Sequence, residues 1–551
     1  MANEVAILDY FLKWERETPS AIFLRQPINR TWVNYSWKEV GHAAREICGT
    51  LQEKGFSRGD RVAILSANCA QWIICDIAMI MGGFISVPLY ANVNADSMRH
   101  ILKASGCTFM FVGKLLPKDW DNVKDAIPDS VQAVCMAGYQ KEGLTTWENF
   151  IQPSTNAQIQ KQTGEDVVTY IYTSGTTGEP KGVIHTNSSI VNAVLTAVDS
   201  VNLNRPGNRF LSYLPLSHAA ERGLIEAGCL YCGGTIAFVE SIERFNSNIK
   251  EIKPTHFFGV PRIWEKFHSK ILEKIPQKKL MLLLKTPIVS FIIKNKIKKS
   301  LGLEKADVIL SGAAAILPDL LLWYQKLGII IREAYGMSEN FNVLSLNPKN
   351  DVRIGTVGKL FSNQEVIIDP ETHEIKQKCN WLMKGYYNKP ELTAKTIING
   401  FLHTGDMGEL SEDGFLKVTG RVKDIFKTSK GEYISPAPIE VKFLELPGVS
   451  QACVMGSKYA QPFIIISLSS IGNIMEKSEM ERQLKNVLHV HNQHGMEYQK
   501  LKKVFVTKEE WTIDNGLLTP TLKMKRNELS NKYEGTMYDL YHNDKLICWE
   551  K

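Results

Sequence analysis

The sequence predicts an α/β protein, with a large N-terminal domain of layered α/β subdomains plus a β-rich subdomain, followed by a small α+β C-terminal domain. Three observations carry this prediction. Short β-branched runs alternate with helical patterns from the N-terminus onward; at Gly355 the texture changes to short strands and Gly-rich turns; after Arg421 it becomes mixed. The 551 residues also exceed the length at which one hydrophobic core stops growing.

In chain order, Arg61 to Leu65, Phe84 to Val87, Thr108 to Val112, Val131 to Cys135 and Val167 to Tyr172 are β-branched runs, each preceded by a helical pattern or a Gly/Pro break. Such alternation builds largely parallel sheets. Trp72 to Tyr90 approaches membrane-spanning length, but Asp76, Gly82, Gly83 and Pro88 interrupt it. It predicts a buried helix ending near Met81, a Gly-Gly turn and a buried strand. Helical spacing covers Val183 to Val201 and Leu317 to Leu327, while Asp307 to Leu310 and Ile329 to Arg332 read as strands. The segments GTVGKLF, EVIID, GFLHTGDMGEL and GFLKVTG predict the β-rich part, and helices are expected at Pro438 to Glu445 and Ser478 to Val490. A boundary at Gly420 divides the chain into residues 1–420 and 421–551.

Hydrophobic residues at 44% and charged residues at 22% are ordinary globular composition. The ten cysteines have no repeating spacing, which fits a reducing compartment, and MANEVAILDYF lacks the pattern of a secretory signal. A cytoplasmic chain is expected. The net charge of +7 is too mild to imply nucleic-acid binding. It is, however, concentrated: Lys266, Lys270, Lys274, Lys278, Lys279, Lys285, Lys294, Lys296, Lys298 and Lys299 interleave with MLLL and PIVSFII. That pattern reads either as a solvated insertion or as a peripheral contact with an anionic membrane surface. Cys229 and Cys232 form a CxxC in an apolar run without a second pair, so they read as core cysteines. His489, His491 and His494 read as structural residues of a polar helix rather than metal ligands.

The strongest local signal is YTSGTTGEPKGV, Tyr172 to Val183. Gly175, Gly178 and Gly182, the hydroxyls of Thr173, Ser174, Thr176 and Thr177, and Lys181 form a donor-rich loop directly after a strand, suited to polyphosphate oxygens. It is not a Walker A sequence. Taken alone, the string also reads as an ordinary turn.

The same string resembles the phosphate loop of the adenylate-forming superfamily, which includes acyl-CoA synthetases, peptide-synthetase adenylation domains and luciferases. YSWKEV, GDRVAI, LPLSHAAER, YGMSE, LMKGYYNKPELT, FLHTGD, GRVKDIFKTSKGEYISPAPIE and GLLTPTLKMKR follow in that family's order. The last two blocks, with VPRIWEK, look most like the long-chain fatty acid CoA ligases. The resemblance implies ATP, Mg²⁺ and coenzyme A as reaction partners and a fatty acid as substrate. It implies that Glu339 and a phosphate-loop hydroxyl, Thr173, hold Mg²⁺, and that Tyr335 and Gly336 face adenine. Ser338 stands where Thr is usual. Asp406 would accept from the ribose hydroxyls, Arg421 contact the nucleotide, Lys523 reach the substrate carboxylate and α-phosphate, and His218 position the acid. It implies a gate at Trp264 and a hinge at Lys423, about which a mobile C-terminal domain withdraws Lys523 and presents the Gly431 loop. Alone, each has a plainer reading: a turn for Asp406, a solvated face for Lys523, a satisfied polar residue for His218, core packing for Trp264.

Three departures stand out. Lys378-Cys379 replaces the usual Arg-Gly, Asn380 a common Pro, and Ala313 a frequent Gly. Alternatives to CoA ligation are acylation of a carrier protein, or a catalytically weak lipid- or nucleotide-binding relative. A homodimer is left open.

Overall fold

The computed structural model describes residues 5–152, 157–173, 179–513, 515–519 and 523–550. Two sheets organise the N-terminal part. The seven-stranded sheet runs in the order Gly385–Tyr386, Lys181–Thr186, Val167–Thr173, Ile85–Leu89, Arg61–Leu65, Phe109–Val112, Gln132–Cys135. Its last five strands are parallel, and Lys181–Thr186 returns antiparallel to Val167–Thr173. The nine-stranded sheet is parallel from Arg332–Tyr335 through Val308–Ser311, His256–Phe258, Arg209–Ser212 and Thr235–Phe238 to Ile22–Ile28.

Alternation along each strand divides the side chains between layers. Val62 and Ile64 enter the core shared by the two sheets, whereas Ala63 and Leu65 enter a separate core on the outer face. The shared core encloses the helix Ala70–Gly82, every residue of which is buried. Gly83, at φ +68°, closes that helix by donating to the Ile80 carbonyl, and the strand Ile85–Leu89 follows. This is the interrupted apolar stretch of the sequence, and no helix among the described residues is long and apolar enough to cross a membrane.

The helix expected from Val183 to Val201 is corrected. Lys181–Thr186 is a strand, and the helix is Asn187–Ala197, capped by Thr186 accepting from the Ser189 N–H. A short apolar run fits either periodicity, and here pairing with Val167–Thr173 decides it. The strand expected at Ile329 to Arg332 begins at Arg332 and runs to Tyr335. Lys378, Cys379 and Asn380 are not among the residues with positive φ, so that turn does not need the glycine that is usual there.

The β-rich part is an antiparallel sheet, Glu365–Ile368, Glu374–Lys378, Phe401–Leu410 and Ile397–Ile398, with Leu416–Arg421 paired to Phe401–Leu410. Beyond it, the strands Val449–Met455, Phe463–Leu468, Val504–Thr507 and Ile547–Trp549 form a four-stranded sheet. One face of that sheet carries the helices Ala437–Leu444 and Lys477–His494, and the other carries Arg526–Tyr541.

Behind the nine-stranded sheet lies a core in which Trp264 is fully buried. Its indole N–H donates to the Gly259 carbonyl at 2.8 Å, and its ring meets Phe257, Phe267 and Tyr324 edge-on. Such packing predicts that Trp264→Ala lowers the unfolding free energy by roughly 3–5 kcal/mol. A urea titration measures this, and the KM values for acid and ATP compared at full folding separate packing from gating.

Candidate active site

The candidate residues converge where strands of both sheets end, the usual place for ligands in open α/β sheets. Thr173 ends a strand of the seven-stranded sheet and Tyr335 a strand of the nine-stranded one. Ser174, Gly175, Thr176, Thr177 and Gly178 lie outside the described residues.

Asp406 ties three pieces of the fold together. Its carboxylate accepts from the Tyr335 hydroxyl at 2.7 Å and from Arg421 Nε at 2.8 Å, and Asp406 and Arg421 are partners across the antiparallel ladder. Burial, and then Asp406, push the Tyr335 phenol well above its ordinary range. Burial opposes the charge on Arg421, but Asp406 more than offsets it. Gly336 has a reason internal to the fold: a Cβ there would lie 2.3 Å from the carbonyl carbon of Asn342.

Glu339 sits in the one-turn 3-10 helix Ser338–Asn340, where its Oε1 accepts from the Tyr386 hydroxyl at 2.7 Å. The carbonyl of Ser338 accepts from His185 Nε2 at 2.7 Å, tying this turn to the seven-stranded sheet. The Lys181 ammonium stands 5.5 Å from the Tyr386 ring centroid. Burial and then Lys423 lower its pKa, with Glu339 opposing. Among the described residues no group of three or more His, Cys, Asp or Glu is arranged to hold a metal. Glu339 nonetheless fits Mg²⁺, which takes one or two protein carboxylates and fills its shell with substrate phosphates and water.

His218 caps a short helix, its Nδ1 accepting from the Ala220 N–H at 3.1 Å, which leaves the proton on Nε2. Lys523 reaches the same place from the C-terminal part. Its side chain is exposed. Partial desolvation and then Arg421 lower its pKa, while Asp406 and Glu339 oppose them. His218 is in turn held down by burial and then by Lys523. Four sequence-predicted residues, His218, Glu339, Asp406 and Arg421, are thus within electrostatic reach of Lys523.

Beside them is an apolar cavity of about 100 Å³, lined in part by Ala220, Gly223, Leu224, Ala313, Tyr335 and Gly336. Trp264 is not among its lining residues. Ala313 holds φ +65°, a left-handed conformation costing roughly 1–2 kcal/mol outside glycine.

Lys423 is exposed, between two anchored neighbours. Arg421 is bound to Asp406, while Asp424 pairs with Arg526, which also pairs with Glu440. Gly431, at φ +91°, closes the hairpin of Phe426–Lys427 and Tyr433–Ile434 and donates to the Thr428 carbonyl. A Cβ there would lie 3.6 Å from Lys427 Cε of the same hairpin. Sequence reasoning missed Tyr386 and His185 as supports of the Glu339 turn. Tyr386 lay unassigned within LMKGYYNKPELT.

Residues 11–387 match the family model of the AMP-binding enzyme, and residues 423–545 match that of the AMP-binding enzyme C-terminal domain. The chain belongs to the AMP-binding enzyme family. Among curated relatives, fatty acyl-CoA synthetase A of Dictyostelium discoideum is 29% identical, covering 93% of this chain and 86% of its own. Long-chain-fatty-acid–CoA ligase FadD15 of Mycobacterium bovis is 27% identical, covering 96% of each. Among solved structures, the anthranilate CoA ligase AuaEII in complex with anthranoyl-AMP superposes with a TM-score of 0.79 at 20% identity, over 98% of this chain and 99% of its own. The o-succinylbenzoate CoA synthetase of Bacillus subtilis, in complex with its acyl-adenylate intermediate, gives 0.75 at 22% identity, over 96% and 98%. These likenesses show the adenylate-forming fold.

Burial holds His185, His218 and His256 at about 4, below the ordinary 6.5. As pH falls the unfolded chain therefore takes up protons first. The contribution of these residues to stability is complete above about pH 6.5 and is lost toward about pH 4. Urea midpoints measured across that window are expected to fall, and the pH profile of acid activation is expected to show no step near 6.5 from His218.

Proposed function

We propose that this chain is an AMP-forming acid–thiol ligase that activates a medium- to long-chain fatty acid with ATP and passes the acyl group to coenzyme A. The observation that supports the reading is that Lys523 lies within electrostatic reach of His218, Glu339, Asp406 and Arg421, with an apolar cavity lined by Ala220 and Tyr335 beside them. A carboxylate attacking the α-phosphorus needs its own charge and that of the departing pyrophosphate neutralised. Lys523 supplies that charge at the acid, and Lys181 supplies it at the phosphates. Asp406 holds the ribose, Tyr335 and Gly336 flank the adenine, and Arg421 contacts the nucleotide. His218, neutral and donating through Nε2, orients the acid. Mg²⁺ bound at Glu339 and Thr173 would neutralise charge on the leaving pyrophosphate. Splitting the reaction turns an unreactive carboxylate into a mixed anhydride that a thiol can attack.

Residues 1–420 and 421–551 act as two bodies in this reading. Val422 and Lys423 are the short link between the anchors Arg421 and Asp424, and hinges need only a few such torsions. Rotation there withdraws Lys523 and brings the Gly431 hairpin to the acyl-adenylate. Pyrophosphate exchange into ATP that depends on added fatty acid tests the first half-reaction. Lys523→Ala is expected to lose that exchange yet still transfer acyl from supplied acyl-adenylate to CoA. Lys423→Pro is expected to keep one half-reaction and lose most of the other, since proline fixes φ and restricts the residue before it.

A peripheral membrane contact is supported by a separate observation. On the helices Gln277–Leu283 and Pro287–Ser300, Leu282 is 65% exposed, Ile288 77%, Phe291 69% and Ile292 56%. Around them Lys278, Lys279, Lys285, Lys296 and Lys299 are exposed and form no salt bridge among the described residues. Apolar side chains ringed by unpaired lysines fit an anionic bilayer, the source of a fatty acid. Flotation with anionic vesicles is expected to weaken with salt, and to be lost on reversing Lys278, Lys279, Lys285 and Lys296 to Glu.

A further inference from the structure

Two consecutive residues beside the site reach in opposite directions. Glu221 turns to the nine-stranded sheet, its Oε1 accepting from Ser212 Oγ at 2.8 Å and the Tyr213 N–H at 3.0 Å, with Asn68 Nδ2 at 3.4 Å. Arg222 turns to the seven-stranded sheet. It donates to Asp76 Oδ2 at 2.6 Å, to Ser86 Oγ at 3.1 Å and to Thr169 Oγ1 at 3.4 Å, and lies 3.3 Å from Glu226 Oε2. All four charged groups, Asp76, Glu221, Arg222 and Glu226, are buried. Burial drives the Glu226 carboxyl far above its ordinary range, beyond what Arg222 offsets. Asp76 Oδ1 and Glu226 Oε1 are buried without a hydrogen-bond partner among the described residues, so Arg222 is the one cation that both carboxyls face.

The cluster sits between the two halves of the reaction. Arg222 opens a π-helical turn, Arg222–Ala227, a local form often found at functional sites. His218 lies just before it, and Gly223 and Leu224 line the apolar cavity. Thr169 and Ser86 belong to the seven-stranded sheet, and the strand of Thr169 runs on to Thr173, where the phosphate loop begins. One guanidinium therefore joins the wall that holds the acid to the strand that leads to the phosphates.

We infer that Arg222 is a positioning residue for adenylation, fixing the His218–Leu224 wall against the strand Val167–Thr173 so that carboxylate and α-phosphorus meet in register. The inference rests on the adenylation reading above. It makes a demand that simple stabilisation does not. Before the anhydride forms, acid and nucleotide are separate molecules, and a misplacement of about 1 Å costs on the order of 100-fold. Afterwards a covalent bond holds them in register, so the cluster matters far less to thiol attack.

The test uses the full chain and two variants. Arg222→Lys keeps the charge but cannot reach all four partners. Asp76→Leu/Arg222→Met/Glu226→Leu replaces the buried ions by apolar groups, a change often neutral or stabilising. Both are expected to lose about 100-fold in acid-dependent pyrophosphate exchange with the KM for ATP unchanged, while transfer from supplied acyl-adenylate to CoA stays near wild type. Wild-type exchange in the triple variant overturns the inference, as does a parallel fall of exchange and transfer in both variants. If the fatty acid reading itself is wrong, the wild-type chain shows no exchange with fatty acids, and the comparison is then made with whichever acid it activates.

Discussion

The site hangs from one carboxylate. Asp406 receives the Tyr335 hydroxyl from the nine-stranded sheet and the Arg421 guanidinium from the strand that leads out of the β-rich part. A buried carboxylate without partners is costly, and hydrogen bonds from a phenol and a cation relieve that cost only in one geometry. Three pieces of chain are therefore held in one register. The last of them, Arg421, stands two residues before the C-terminal family domain begins, so the position of Tyr335 and the start of that domain are tied to the same carboxylate.

The second constraint comes from sharing one core between two sheets. Apolar surfaces alone fix the spacing of layers loosely, because dispersion and hydrophobic burial have little direction. Buried hydrogen bonds do have direction. His185 pins the turn that carries Glu339, Glu221 and Arg222 pin the wall that carries His218, and each bond crosses from one structural layer to another. The candidate residues are thus backed by buried polar groups behind them.

Much of the fold was legible in periodicity. Five strands of the seven-stranded sheet, the interruption at Gly82 and Gly83, the β-rich part and the C-terminal helices were readable. Lys181–Thr186 was not, because Val183 and Ile184 fit a helix as well as a strand until the partner strand is present. The candidate residues were legible only jointly. Alone, Asp406 is a turn residue and Lys523 one lysine of a basic cluster, and it was the ordered blocks that singled them out. Tyr386, His185 and Arg222 were quoted or adjacent in those blocks without a role, since their partners lie far away in the chain.

The sequence by itself singled out the candidate residues, because residue type and the order of the blocks that hold them are properties of the chain. It also determined the class of fold, because the alternation of apolar residues dictates which face of each element must be buried. Only the tertiary structure decided that Lys523 comes within electrostatic reach of His218, Glu339 and Asp406, that Trp264 is packed into a core rather than lining the apolar cavity, and that Arg222 bonds to Asp76, Ser86 and Thr169. Those outcomes depend on desolvation and on directional bonds between distant segments, and neither exists until the layers have closed.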